Sequence, residues 1–280
     1  MDYEKLFQEV AVSIKKIYVK KEKAHEVHDN IIKYLNSDVG KSALETKSFD
    51  NTLYDINAII TTTTFDKHLY VYKPSGGSVP NEHFYYTPHY ISFDSIESID
   101  NINIRRRYMN AFKQLQEPVI LDLRFCTGGD ANTSFYILCH FFRDGIEMFE
   151  MMRRNVEPNI FISASVNTNY DELNVINKYY GKLKVLVNGY SYSASEIIAK
   201  TLQVHKRAKV YGSKTPGVTN TCHHVPIEPL MIQMPIAIYV DSITKKPFEN
   251  IGVFPDYDVT SDEYIKTIYD EVAPNTFKSY

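Results

Sequence analysis

The 280-residue chain contains no tryptophan and only three cysteines, Cys126, Cys139 and Cys222. An odd number of cysteines without framework spacing builds no disulfide scaffold and suits a reducing compartment. No apolar run approaches the ~20 residues of a membrane helix. The stretch MDYEKLFQEVAVSIKK carries acidic residues at once and no unbroken apolar core, so it does not read as a secretory signal. These absences predict a cytoplasmic protein without a membrane partner. An excess of one charge is also lacking: the net charge is -3, which gives no electrostatic basis for binding nucleic acid. Arg105-Arg106-Arg107 reads as a solvated helix face. Motifs of the GxSxG, GxGxxG and GxxxxGK(S/T) types are missing, which argues against an α/β-hydrolase, a dinucleotide enzyme and a P-loop NTPase. Neither HExxH nor a spaced CxxC accompanies Cys222-His223-His224, and adjacent residues of a strand point to opposite faces. No metal and no cofactor are expected.

What is present is an ordinary globular composition, 44% hydrophobic and 23% charged, with two kinds of patterning. Over the first seventy residues the spacing is helical: Leu6, Val10, Ile14 and Ile17, then Val27, Ile31 and Leu35, then Leu53, Ile56 and Ile60. Breaks fall near Asn36-Ser37 and Lys47-Ser48, and the mixed face of KKIYVKKEK reads as solvent-facing. The strand HLYVY (68–72) follows, then the turn-rich KPSGGSVPNE. From residue 89 strands and helices alternate. HYISF, PVILDLRF, KVLVN, AKVYG and MIQMPIAIYV read as strands; ESIDNINIRRRYMNAFKQL, TSFYILCHFF, SEIIAKTLQVHK and DEYIKTIYDEV read as helices. The division expected is a helical domain over 1–73, a connector over 74–88 and an α/β core over 89–280.

The stretch NGYSYSASE (188–196) places three serines on a strand-to-helix turn. Ser193 with Glu196 three residues on is a capping box. A serine there is also exposed to the amide-rich end of a helix, which suits a nucleophile. Gly128-Gly129, after PVILDLRFCT, allow a backbone that presents amides as an oxyanion hole requires, or simply a tight turn. His68 and Glu249, taken singly, read as an ordinary histidine and a solvated loop carboxylate.

Four stretches in order, LDLRFCTGG, NGYSYSASEIIAKTLQ, AKVYGSKTPG and ENIGVFPDYDV, resemble the tail-specific or C-terminal-processing serine peptidases. That broad family includes the tricorn-protease core, the chlamydial protease-like factor and the interphotoreceptor retinoid-binding proteins. The resemblance covers about residues 89–258, more loosely the N-terminal helices and DKHL. It implies a ClpP/crotonase-like core of β-β-α units and a peptidase acting on peptide or protein substrates. It also implies Ser193 as nucleophile and an oxyanion hole from the amides of Ala194 and of Gly128 or Gly129. One branch activates its serine with a lysine, where this chain has Val218. The tricorn-like branch uses a histidine and a glutamate, at positions matched by His68 and Glu249. A Ser-His-acid relay then follows, and histidine suits it because its ordinary pKa lies near neutrality. Cys126 departs from the asparagine common in the glycine loop. Too few residues separate His68 from HYISF for an inserted PDZ domain, and the secretion signal of the processing proteases is missing. Three alternatives remain: a ligand-binding protein on the same scaffold, a Ser193–Lys214 dyad, and a crotonase-like acyl-thioester enzyme.

Overall fold

The computed structural model describes residues 2–46, 49–74, 84–155, 160–167 and 177–270. The chain forms two compact units, each built from three segments: 1–79, 152–163 and 220–238 make the first, and 80–151, 164–219 and 239–280 the second.

The first unit starts with helices α1 (Tyr3–Ile17), α2 (Lys21–Asn36), α3 (Asp38–Glu45) and α4 (Phe49–Thr64). Asp2 caps α1 by accepting from the amide of Lys5 at 3.0 Å. The helical spacing is borne out: Leu6, Val10, Ile14, Val27, Ile31, Leu35, Ile56 and Ile60 are buried in one cluster. Each such side chain contributes about 1.5–3 kcal/mol on leaving water. Strand β1 (Tyr70–Tyr72) pairs antiparallel with β10 (Leu230–Asp241), Tyr70 opposite Gln233, and β9 (Thr221–Ile227) pairs with β10 as well. With β5 (Glu147–Asn155) and β6 (Ile160–Asn167) the order is β1-β10-β5-β6. Leu230, Ile232 and Met234 of β10 bury their side chains in the helical cluster. That packing is why residues 220–238 belong with the helices rather than with an uninterrupted core over 89–280.

The second unit carries a sheet of order β11-β8-β7-β4-β3-β2. Its strands are β2 (Phe84–Thr87), β3 (Tyr90–Phe93), β4 (Val119–Asp122), β7 (Leu183–Val187), β8 (Lys209–Gly212) and β11 (Tyr257–Asp258). All pairings are parallel except β2 with β3. The order follows the sequence without reversal, unlike a doubly wound dinucleotide fold. Val119, Ile120 and Leu121 on β4, and Val185, Leu186 and Val187 on β7, are fully buried, as strands of a covered parallel sheet should be. The helices are α5 (Ile102–Lys113), α6 (Ala131–Cys139), α7 (Ala194–Val204) and α8 (Asp262–Asp270). The fold is α/β with N-terminal helices, as the sequence predicts.

The differences have physical reasons. Strand β2 lies inside the expected connector, of which residues 75–83 fall outside the described residues, as do Lys47-Ser48 and the end of DEYIKTIYDEV. Tyr18 and Val19, within the charged KKIYVKKEK, are fully buried, so that stretch is not a solvent face. Arg107 is also more than solvated: its guanidinium donates to the carbonyl of Phe84 at 2.6 Å and lies over that ring.

Candidate active site

Strands β4 and β7 are parallel neighbours, so their C-terminal turns lie side by side. The first is the glycine loop and the second NGYSYSASE. Backbone and side-chain bonds fasten them: Tyr192 N donates to the carbonyl of Cys126 at 2.9 Å, Ser195 Oγ to the same carbonyl at 3.1 Å, and Ser191 Oγ to that of Leu123 at 2.8 Å. Ser191 and Ser195 are thus fully buried structural hydroxyls, whereas Ser193 is half-buried.

Ser193 stands at the N-cap of α7 with φ 56° and ψ -118°, a left-handed conformation costly to any residue but glycine. Gly128, at φ 86°, closes on it: a Cβ built there would lie 2.7 Å from both Ser193 Cβ and the Tyr192 carbonyl oxygen. Only glycine allows that approach. The structure therefore brings Ser193, Ala194 and Gly128 together, with exposed Gly129 beside them. The amide of Ala194 opens the helix, where N–H groups have no acceptor within it. The buried thiol of Cys126 is pushed up to about 12 by burial, which outweighs the Gly128 amide and Ser195 hydroxyl against it. The cysteine is a neutral packing element under the loop.

Glu196 is fully buried, yet its oxygens accept from Thr215 Oγ1 at 2.5 Å, Gly217 N at 2.7 Å, Val218 N at 2.8 Å and Ser193 N at 3.2 Å. Burial raises its pKa, and these four bonds oppose the shift. The sequence reading sees in Glu196 only half of a capping box. Its larger role is to hold the 215–218 loop against the Ser193 turn. Val218, where one branch has its lysine, packs inward at 5% exposure and uses its amide in that clamp. Lys214 is exposed, with its ammonium over the ring of Phe254 at 4.7 Å.

Glu249 sits at the start of a turn in which Asn250 and Gly252 have φ 62° and 79°. Thr219 donates to Glu249 Oε2 through its amide at 2.6 Å and its hydroxyl at 3.0 Å. Asn250 N donates to the Gly217 carbonyl at 2.6 Å, and Val253 N to Thr215 Oγ1 at 2.7 Å. Residues 215–219 are thereby tied to Glu196 on one side and to the Glu249 turn on the other.

His68 belongs to the first unit, just before β1, and is 9% exposed. Burial lowers its pKa, and the charge of Asp66 opposes the shift. Among the described residues its Nδ1 makes no hydrogen bond. The sequence shows Asp66 only as a neighbour of His68. In the structure its buried carboxylate accepts from His68 N at 3.0 Å, Tyr18 Oη at 2.8 Å and Asn220 Nδ2 at 3.1 Å, and lies 3.6 Å from Lys20 Nζ. Gln233 Nε2 donates to the His68 carbonyl at 3.1 Å. The signal that could have found Asp66 is its spacing, two residues from His68, at which a short acid turns back onto the backbone.

Three comparisons bear on this arrangement. The family model described as peptidase family S41 matches residues 89–259. A carboxy-terminal-processing protease of Bartonella bacilliformis is 26% identical over 162 residues, which is 58% of this chain and 33% of that protein. The chain thus spans about a third of the length of the curated relative it matches. Among solved structures, a lipoprotein from Streptococcus agalactiae aligns with a TM-score of 0.66 at 13% identity, covering 96% of each chain. A photosystem II D1 C-terminal processing protease aligns at 0.60 and 14%, covering 93% of this chain and 94% of that one. At these identities the structural likeness is one of fold.

Proposed function

The chain belongs to peptidase family S41, and from that premise we propose that it hydrolyses peptide bonds through an acyl-enzyme, with Ser193 as nucleophile, His68 as base and Glu249 as the acid that orients it. The observation that carries this reading is the left-handed Ser193 at the head of α7, closed on by Gly128. It sets a hydroxyl at the head of a helix, whose first amides have no acceptor within the helix, as stabilising the oxyanion of an attacked carbonyl demands.

Ser193 Oγ adds to the substrate carbonyl as neutral His68 takes its proton. The amides of Ala194 and of Gly128 or Gly129 receive the oxyanion. The imidazolium then returns its proton to the leaving amine, and water repeats the sequence to release the acid. Burial of His68 favours the neutral imidazole that a base needs. Lys214 is the weaker candidate for the base, because it is exposed and its side chain lies over the ring of Phe254. The substrate is a peptide or protein. No described helix is long and apolar enough to cross a membrane, and the cysteine content favours a cytoplasmic location.

The test is reaction with a fluorophosphonate probe followed by mapping of the labelled residue. Label on Ser193, and its loss in Ser193→Ala with a fall of about 10⁴–10⁶ in kcat, supports the reading. Label on Ser191 or Ser195, or an active Ser193→Ala chain, refutes it.

A further inference from the structure

The turns that carry Ser193 and the glycine loop also carry two rings that the chemistry above leaves unused. Phe125 and Tyr190 stack with their centroids 5.7 Å apart and their planes at 23°. One side chain fixes both backbones: Asn188 Oδ1 accepts from Phe125 N at 3.3 Å and from Tyr190 N at 2.8 Å. Phe125 is held at φ 67°, a conformation that asparagine or glycine adopts far more easily than a bulky residue. Such strain persists only where surrounding bonds enforce it, and it gathers at functional sites. Tyr190 is 62% exposed. A lone exposed aromatic is ordinary on a protein surface. A stacked pair on a strained, clamped backbone is not, and this one adjoins Cys126, whose carbonyl ties the two turns together.

We propose that the Phe125–Tyr190 pair is a stacking subsite that receives an aromatic side chain of the peptide substrate near the bond to be cut. The proposal rests on the peptidase reading above. A planar apolar ring extends an offset stack, whereas a carboxylate meets the negative faces of the rings and is disfavoured. The site therefore selects for aromatic and against acidic residues at one position of the substrate.

The absence of tryptophan from the chain makes a direct binding measurement possible. A short peptide carrying a single tryptophan is excited selectively, and its fluorescence reports binding to the Ser193→Ala chain, which keeps the peptide uncut. Peptides with glutamate or arginine in place of that tryptophan are measured by competition. The tryptophan peptide is expected to bind most tightly. Adding Tyr190→Ala should weaken it roughly three- to tenfold, and adding Tyr190→Phe should leave it unchanged. The side chain of Tyr190 is exposed, so folding is not at stake, and equal melting temperatures check this. Three results overturn the subsite: no measurable binding of the tryptophan peptide, equal or tighter binding of either competitor, or unweakened binding to the Tyr190→Ala chain. Because the readout needs no hydrolysis, failure of the peptidase reading appears separately, as absent probe labelling of the wild-type chain.

Discussion

Gly128→Ala isolates the contact on which the proposed chemistry depends. An alanine at φ 86° carries a left-handed penalty of about 1–2 kcal/mol. Its methyl group would also lie 2.7 Å from Ser193 Cβ and from the Tyr192 carbonyl oxygen. Neither atom is the far end of a flexible side chain, so the nucleophile turn itself must move. Overpacking of this kind costs about 1–3 kcal/mol more. Moving the turn misaligns the hydroxyl with the amides meant to receive the oxyanion, a loss of about 10²–10³ in kcat by comparison with removal of one donor. Gly145 supplies the control. It has nearly the same φ, 80°, but nothing lies within 4 Å of a Cβ built there. Gly145→Ala should therefore lose the conformational penalty alone and keep full reactivity. The assay pairs thermal melting with the rate of fluorophosphonate labelling. A Gly128→Ala chain that labels as fast as the wild type, or melts no lower than Gly145→Ala, would refute the reasoning.

Three further outcomes are expected. His68→Ala should abolish labelling nearly as fully as Ser193→Ala, with Glu249→Gln milder and Lys214→Ala neutral. Burial of His68 also places the acid limb of kcat/KM below the ordinary histidine value of about 6.5, and a limb at or above that value tells against His68 as the base. Asp66→Asn should destabilise the fold by on the order of 3 kcal/mol, since it removes the charge on which Tyr18, Asn220, Lys20 and the His68 amide converge; Tyr18→Phe should cost about 1 kcal/mol by the same denaturation measurement. His140, stacked on Phe112 and bonded to the carbonyl of Asn177, is pushed down to about 4 by burial. A depressed histidine gives stability that is present above its unfolded value of about 6.5 and is lost as pH falls through 4, about 3 kcal/mol in all. His140→Phe should flatten that part of the acid denaturation profile, and an unchanged slope between pH 6.5 and 4 would rule the histidine out as its source.

The helices of the first unit were legible because each buries one face, so Leu6-Val10-Ile14 and Val27-Ile31-Leu35 write their geometry into the sequence. Strands β4 and β7 were legible through the short apolar runs Val119-Ile120-Leu121 and Val185-Leu186-Val187. Strand β9 was not: TCHHVPI has exposed His223 and His224 side by side, and only its last residues, with Val225 and Ile227 packed on the helical cluster, alternate. Tyr18 was hidden among lysines, since burial against a distant carboxylate has no local period. The proposed roles of Ser193, Gly128 and Glu249 come from the family resemblance, but the bonds that hold these residues could not be read from the sequence. The carbonyl of Cys126 and the amides of Gly217 and Val218 are main-chain groups that every residue carries, and only the fold decides which ones meet.

The division of each unit into three segments also governs how the molecule comes into being. Helices α1 to α4 are synthesised before β10, but their cluster is completed by its Leu230, Ile232 and Met234. At about 5–20 residues per second, roughly 7 to 28 s separate synthesis of residue 79 from that of residue 220. For that interval the nascent helices hold an apolar face without β10 to cover it. The helices are thus made well before their core can be completed, which favours slow, non-local folding and opens a window for chaperones and aggregation during translation.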